Sequence, residues 1–178
     1  MNLIDEFEHS IKLIIRDLRF NCSAYVSTFE INIRALGGLI SGHIIAVELK
    51  KIHPQLSWYH EQLLELAINL ADKLIYVFKT ETYIPYRYMN LNNNTPLYWD
   101  ENTCSACAGT FILEFGALSY LSGNDSYLEV AIGALDFLWI SRDNKTNLVG
   151  SSINIHTGKW TSASMYASLS HYRIINRS

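Results

Sequence analysis

One predicted helix, spanning about residues 27–48, constrains the fold more than any other part of the chain. It carries Glu30 and Arg34, which are four residues apart and therefore lie on one face of a helix. The same segment is rich in small residues, at Gly37, Gly38, Ser41 and Gly42. Because glycine lowers the stability of a helix, we expect these positions to be small so that another element can approach closely. The pattern indicates an inner helix that packs on two sides.

The spacing of the charged pair also has a purely structural explanation. Ser27 and Glu30 match the Ser-x-x-Glu capping box, in which the glutamate side chain accepts a hydrogen bond from a backbone N–H at the helix start. In that case Arg34 is only a surface partner of Glu30. The residues alone leave both explanations open, so the pair either caps the helix or belongs to a site.

Amphipathic repeats predict four further helices, with Pro54 interrupting the chain between two of them. The predicted helices run from Leu3 to Phe20, from about Trp58 to Phe78, from about Ser105 to Ser122, and from a cap at Asn124 or Ser126 to about Trp139. Residues 80–102 form a long loop, and the alternating Ile153 and Ile155 indicate a short β-hairpin near residues 148–160. The sequence therefore predicts an all-α fold of about five helices with one short hairpin.

The composition limits the kinds of partner that the chain can have. Of its 178 residues, 49% are hydrophobic and 17% are charged, which provides enough apolar mass for one core. The net charge is -3 and no run of Lys or Arg occurs, which argues against nucleic acid as a partner. No long apolar window occurs, so we expect no transmembrane segment in this chain. The acidic start at residues 1–6 is typical of a helix, and we expect no secretory signal peptide there.

Three cysteines, Cys22, Cys104 and Cys107, cannot form a closed set of disulfides. Cys104 and Cys107 have the spacing of a redox-active pair near the start of a helix. No βαβ pattern surrounds them, however, and no second cysteine pair or histidine cluster lies at zinc spacing. A thioredoxin-like or zinc-binding role is therefore disfavoured.

Five short motifs follow one another along the chain. They lie within residues 29–39, 84–91, 103–110, 113–116 and 154–160, and they include Phe-Glu-x-x-Ile-Arg-x-Leu-Gly-Gly-Leu, Ile-Pro-Tyr, Leu-Glu-Phe-Gly and Asn-Ile-His-Thr-Gly-Lys-Trp. In this order they resemble class I α-1,2-mannosidases, which are glycoside hydrolase family 47. Residues 101–110 read Glu-x-x-Cys-x-Ala-x-Ala-Gly-Thr, which is more similar to the ER degradation-enhancing α-mannosidase-like branch than to the trimming mannosidases.

The resemblance implies a fold, an activity and a compartment. The family fold is an (α/α)7 barrel, and residues 1–160 correspond to an incomplete catalytic domain, its N-terminal third. The implied activity is hydrolysis of α-1,2-linked mannose on high-mannose N-glycans of misfolded glycoproteins, in the quality control and degradation pathway of the endoplasmic reticulum. Asn-x-Ser/Thr sequons are compatible with that compartment and occur at Asn21, Asn93, Asn124, Asn144 and Asn176. Calcium is implied for full-length members, but its ligands are absent from this chain.

Three charged residues are candidates for a glycosidase site. Cleavage of a glycosidic bond needs one carboxylic acid to protonate the departing oxygen and a second carboxylate to activate water or attack the sugar. The resemblance gives Glu30 the role of catalytic acid, and gives Arg34 the role of holding Glu30 or binding sugar hydroxyls. It places Glu114 in the sugar pocket, although from the residues alone Glu114 is equally well a solvated helix residue. The aromatic loop 83–98 suits stacking on sugar faces, or simply seals the barrel. No residue is predicted to bind a metal.

The end of the chain departs from the family pattern. After Trp160 the family continues through a Gly- and Ala-rich stretch into Asp-Ser-Phe/Tyr-Tyr-Glu-Tyr, which supplies its next catalytic carboxylate, whereas residues 161–178 contain no Asp or Glu. We therefore expect a divergent tail at 161–178 and no activity from the chain alone. The alternative function is a non-catalytic fragment that binds mannose or glycoproteins. The resemblance also suggests that Cys104 pairs with a distant cysteine that this chain does not contain.

Overall fold

Five long helices and two small β-sheets make up residues 3–162, the part of the chain that the computed structural model describes. The α-helices are α1 (Leu3–Asp17), α2 (Thr28–Glu30), α3 (Gly37–Lys50), α4 (Gln62–Leu74), α5 (Ser105–Gly109), α6 (Phe111–Ser122) and α7 (Ser126–Ile140). A π-helix, Ile31–Leu36, joins α2 to α3, and 3₁₀-helices lie at Pro54–Leu56 and Ile75–Phe78. The strands are β1 (Tyr25–Ser27), β2 (Tyr88–Asn90), β3 (Thr95–Pro96), β4 (Asn102–Cys104), β5 (Ser152–Asn154) and β6 (Trp160–Ser162). Most of the predicted tail, 161–178, lies outside the described residues.

The predicted helices are confirmed, and their bounds differ only at the ends. The segment from α2 through the π-helix to α3 runs as one long helix, and α5 and α6 follow one another across Thr110. The first helix ends at Asp17 rather than at Phe20. Helix α4 begins at Gln62 rather than near Trp58, because the 3₁₀-helix that starts at Pro54 turns the chain before it.

The helices form two layers around one core. Helices α3 and α6 contact each other, and α4 packs against both of them. Helix α1 packs on α4, and α7 packs on α6. Four aromatic rings fill the space between α4, α6 and α7, with centroids 5.0 to 5.8 Å apart: Phe78, Phe111, Phe115 and Tyr127. Helices α3 and α6 are therefore inner helices, as the glycine-rich pattern predicts for the first of them.

Each sheet is attached to the start of an inner helix. Strand β1 leads directly into α2 and pairs antiparallel with β2, so that Ser27 lies opposite Tyr88. Strand β4 leads directly into α5 and pairs antiparallel with β5, which in turn pairs with β6. The hairpin predicted near 148–160 is thus present as β5 and β6. The loop 80–102 differs from the prediction because it contributes three short strands to the two sheets.

Cys104 and Cys107 are joined by a disulfide. The suggestion that Cys104 pairs with a distant cysteine is therefore wrong for this structure. Cys104 is the N-cap of α5, and residues three apart lie on one face of a helix, so the helix itself brings the two sulfur atoms together. Cys22 is exposed and remains a free thiol.

A buried histidine ties α3 to the segment that precedes α4. His43 is 4% exposed and Tyr59 is 1% exposed, and His43 Nδ1 shares a hydrogen bond of 2.9 Å with the Tyr59 hydroxyl. Burial lowers the pKa of His43 and raises the pKa of Tyr59 to about 12. His43 therefore has a packing role in these contacts.

We expect the free energy of unfolding to fall as the pH drops below about 6.5, the ordinary pKa of histidine. Because burial lowers the pKa of His43 in the folded chain, the unfolded chain binds the proton more tightly and acid favours unfolding. Urea unfolding between about pH 5.5 and 8 measures this effect, which should shrink in His43→Gln. His9→Gln, at an exposed position of α1, is the control and should leave the pH dependence unchanged. Equal pH dependence in His43→Gln and the unmodified chain would contradict the assignment.

Candidate functional site

Glu30 and Arg34 meet in solvent at the start of an inner helix. Arg34 lies one turn after Glu30, within the π-helix, and its Nε donates a hydrogen bond to Glu30 Oε2. The side chains of Glu30 and Arg34 are 46% and 76% exposed. Exposed ion pairs add little to stability, because solvent screens them and two long side chains must be ordered. The pair therefore contributes little to the stability of the helix, and both side chains are accessible from solvent.

The capping explanation is only half fulfilled. Ser27 Oγ accepts a hydrogen bond from the Glu30 backbone N–H over 3.4 Å, so Ser27 does cap the helix. Within residues 3–162, the Glu30 carboxylate bonds to Arg34 and makes no hydrogen bond to the Ser27 backbone. The side chain of Glu30 is thus not needed for the cap.

The π-helix between α2 and α3 was not predicted from the sequence. It covers Ile31–Leu36, immediately after Glu30. Fewer than about 1% of residues in globular proteins are π-helical, and such segments often occur at functional sites because they redirect side chains. Within it, Asn32 is completely buried while Arg34 is exposed. No periodicity in the sequence predicts a π-helix at these residues.

Glu114 lies against the same helix, but on its other side. It belongs to the first turn of α6, and its Oε2 accepts a hydrogen bond of 2.7 Å from Asn32 Nδ2. Burial raises the pKa of Glu114, and the hydrogen bond from Asn32 opposes that rise. A glutamate on a solvated helix face would show neither effect, so the solvated explanation does not fit Glu114.

The three glycines of α3 have different surroundings. A Cβ on Gly37 would lie 3.5 Å from Glu114 Cγ, so Gly37 leaves room for that side chain. A Cβ on Gly42 would lie 3.0 Å from Leu63 Cδ1, in tight contact with α4. A Cβ on Gly38 would have no neighbour within 4 Å among the described atoms. Gly38 follows Arg34 by four residues, and we call Glu30, Arg34 and Gly38 the open strip.

The aromatic loop contains both packed and exposed rings. Tyr86 is 4% exposed and meets the rings of Tyr98 and His156 at centroid distances of 5.5 and 5.8 Å. His156 Nδ1 lies 2.7 Å from Glu81 Oε2, which ties the β5–β6 hairpin to the loop. Tyr98 and the neighbouring Trp99 are largely exposed, and Trp99 was not singled out from the sequence. Tyr86 therefore seals the loop, whereas the exposed rings offer faces for stacking.

The structure gives two further results on ligands and membranes. Among residues 3–162, no three His, Cys, Asp or Glu side chains cluster in a way that could hold a metal ion. Over the same range, no helix combines the length and apolar character that crossing a bilayer requires.

Known proteins resemble this chain over nearly its whole length. A sequence profile of glycosyl hydrolase family 47 matches residues 1–172. ER degradation-enhancing alpha-mannosidase-like protein 3 of Homo sapiens is 43% identical over 165 residues, which are 90% of this chain and 18% of that protein. Alpha-mannosidase I MNS4 of Arabidopsis thaliana is 40% identical over 157 residues, which are 88% of this chain and 25% of that protein. The chain thus spans a quarter or less of the length of these relatives.

A solved structure shows the same fold. The alpha-1,2-mannosidase from Trichoderma reesei is similar with a TM-score of 0.73 at 24% identity, over 89% of this chain and 34% of that chain. That enzyme is an (α/α)7 barrel, so the two helical layers described above are part of such a barrel. Because the profile covers almost every residue and the fold agrees with it, the chain belongs to glycosyl hydrolase family 47.

Proposed function

We propose that this chain forms the acid-bearing part of an α-mannosidase that removes α-1,2-linked mannose from high-mannose N-glycans. The observation that carries the proposal is the open strip, where Glu30 and Arg34 are exposed beside a glycine at the start of an inner helix. The names of the relatives support the reaction, since they include mannosyl-oligosaccharide 1,2-alpha-mannosidase IA of Sus scrofa, which is 31% identical over 164 residues.

Glu30 and Arg34 act together in this proposal. An acid catalyst must deliver a proton to the departing oxygen, and this is the role of Glu30. Within the described part of the chain only Nε of Arg34 is engaged, so its terminal N–H groups are free to donate to sugar hydroxyls. We infer that Arg34 holds Glu30 through Nε and binds the sugar through its terminal N–H groups.

Glu114 binds sugar hydroxyls rather than reacting with the sugar. Its carboxyl is partly buried and held by Asn32, so it is a fixed acceptor rather than a mobile acid. The second catalytic carboxylate is supplied by the part of the barrel beyond this chain.

The biological setting of the proposal comes from the names of relatives. Five of these relatives are called ER degradation-enhancing, at 35% to 43% identity. We propose that the substrate glycans are carried by misfolded glycoproteins in the endoplasmic reticulum. Calcium would be held by the remainder of the barrel, as the family resemblance implies.

A chimaera tests the reaction. Residues 1–160 of this chain would replace the matching segment of Arabidopsis alpha-mannosidase I MNS4, and release of mannose from a high-mannose glycan would be measured with calcium present. Mannose release from a folded, monodisperse chimaera supports the proposal. A folded chimaera that binds the glycan without releasing mannose would instead favour the alternative, a non-catalytic mannose-binding role.

Arg34→Lys in this chimaera should lower activity strongly without changing thermal stability. Lysine keeps the charge but lacks the planar fork that donates to Glu30 and to a sugar at the same time. The side chain is mostly exposed, so the substitution removes no packing. Arg16→Lys is the matched control, because Arg16 also pairs with a neighbouring carboxylate, Asp17, on an exposed helix face. Full activity of Arg34→Lys would show that Arg34 is only a surface partner.

A further inference from the structure

Asn32 is a polar side chain in a completely buried position, and it is only half satisfied. Its Nδ2 donates to Glu114 Oε2 over 2.7 Å. Its Oδ1 has no hydrogen-bond partner among the described atoms. A buried amide oxygen without a partner lowers stability, and an apolar side chain would fill the same space without that penalty. Packing alone therefore does not explain why residue 32 is an asparagine.

The position of Asn32 in the π-helix supplies that reason. It follows Glu30 by two residues and precedes Arg34 by two, so it projects from the buried side of the helix while they project from the exposed side. Glu114 lies between the Asn32 amide and Gly37, whose missing side chain leaves space for it. The carboxyl of Glu114 thus accepts a hydrogen bond from Asn32 and occupies the space that Gly37 leaves free. Both residues belong to the helix that carries the open strip.

We propose that Asn32 is a positioning residue that fixes the Glu114 carboxyl in place against the Glu30 helix. This inference takes the sugar-binding role of Glu114 from the proposed function. The contact between Asn32 and Glu114 is observed independently of that function. An amide suits this task because it holds a carboxyl in either protonation state. Its N–H₂ donates to a carboxylate, and after a half-turn of the amide its oxygen accepts from a carboxylic O–H. Aspartate, leucine or lysine at this position could not do both.

The direction in which the pKa of Glu114 changes when Asn32 is replaced distinguishes a positioning role of Asn32 from simple packing. The donor on Asn32 favours the ionised form of Glu114, so its loss should raise the pKa of Glu114 further while burial persists. If Asn32 only kept water out, leucine at this position would do the same, and the pKa of Glu114 would not rise.

The test is a carbon-13 NMR titration of glutamate carboxyl groups in the 178-residue chain, with Glu114→Gln to assign the resonance. Asn32→Leu removes the donor and keeps the site apolar, and Asn32→Asp removes the donor at nearly constant shape. Both should shift the pKa of Glu114 upward. Thr103→Val is the matched control, because Thr103 is 2% exposed and its hydroxyl also lacks a described partner, and it should cause no shift. An unchanged or lowered pKa in the folded Asn32 variants would overturn the proposal.

A second measurement separates this inference from the proposed function. In the mannosidase chimaera, Asn32→Leu should lower mannose release by about tenfold or more, as expected for loss of a supporting residue, and Thr103→Val should not. If the unmodified chimaera releases no mannose while the titration shift occurs, the proposed function fails and the contact stands. If the chimaera is active and Asn32→Leu is equally active with no titration shift, the positioning role fails and the proposed function stands.

Discussion

Replacing Glu30 with glutamine is expected to lower mannose release from the chimaera by about a hundredfold or more, the usual contribution of a general acid. Glutamine has nearly the same shape as glutamate but cannot deliver a proton. The helix should not be affected, because the cap is made by the Ser27 hydroxyl and the Glu30 backbone N–H, both of which the substitution retains. Activity per folded molecule should therefore fall while the thermal melting temperature stays the same.

The control for this substitution is Glu129→Gln. Glu129 is an exposed glutamate in the first turn of α7, remote in sequence from the open strip, and its replacement should leave mannose release unchanged. If Glu30→Gln retains full activity, Glu30 is not the acid. If instead Glu30→Gln lowers the melting temperature with a proportional loss of activity, Glu30 stabilises the helix start through its ion pair with Arg34 and does not serve the chemistry.

The helical layers were predictable because they follow from local periodicity. Apolar residues at helical spacing mark each long helix, and glycines at Gly37 and Gly42 mark the sides where Glu114 and α4 come close. The ordered motifs then identified the family, which the profile over residues 1–172 and the solved barrel confirm. Where local signals conflicted, as at Cys104, the resemblance pointed to a distant partner and the structure shows the neighbouring Cys107 instead.

The arrangement of the candidate site was less predictable, because it depends on contacts between distant residues. Asn32 and Glu114 are 82 residues apart, and neither has a local signal of burial. Asn32 lies in a π-helix, whose turns contain more residues than the 3.6 of an α-helix. A search for apolar residues at α-helical spacing therefore does not reveal it. The glycine at Gly38 looked like a packing position from the sequence, whereas the structure leaves it open beside Arg34. The roles proposed for Glu30 and Arg34 thus rest on the family resemblance, whereas their exposure is observed in the structure.

The 178-residue chain by itself is expected to release no mannose, even with calcium present. Hydrolysis needs two carboxyl groups about 5 to 9.5 Å apart across the scissile bond. In the proposed function Glu30 supplies one of them. The family's next catalytic carboxylate follows Trp160, where residues 161–178 contain neither Asp nor Glu. Glu114 is a poor substitute, because it is partly buried and fixed by Asn32 on the other side of the helix.

This expectation can fail in an informative way. The same glycan, calcium concentration and detection limit should be used for the isolated chain and for the chimaera, so that the added part of the barrel is the difference between them. Activity of the isolated chain that disappears in both Glu30→Gln and Glu114→Gln would make Glu114 the second catalytic carboxylate, and the sugar-binding role proposed for it would be wrong. Activity that survives Glu30→Gln would remove Glu30 from the chemistry altogether. Because an acid without its partner has no route to complete the displacement, the proposed function requires inactivity of the isolated chain together with Glu30-dependent activity of the chimaera.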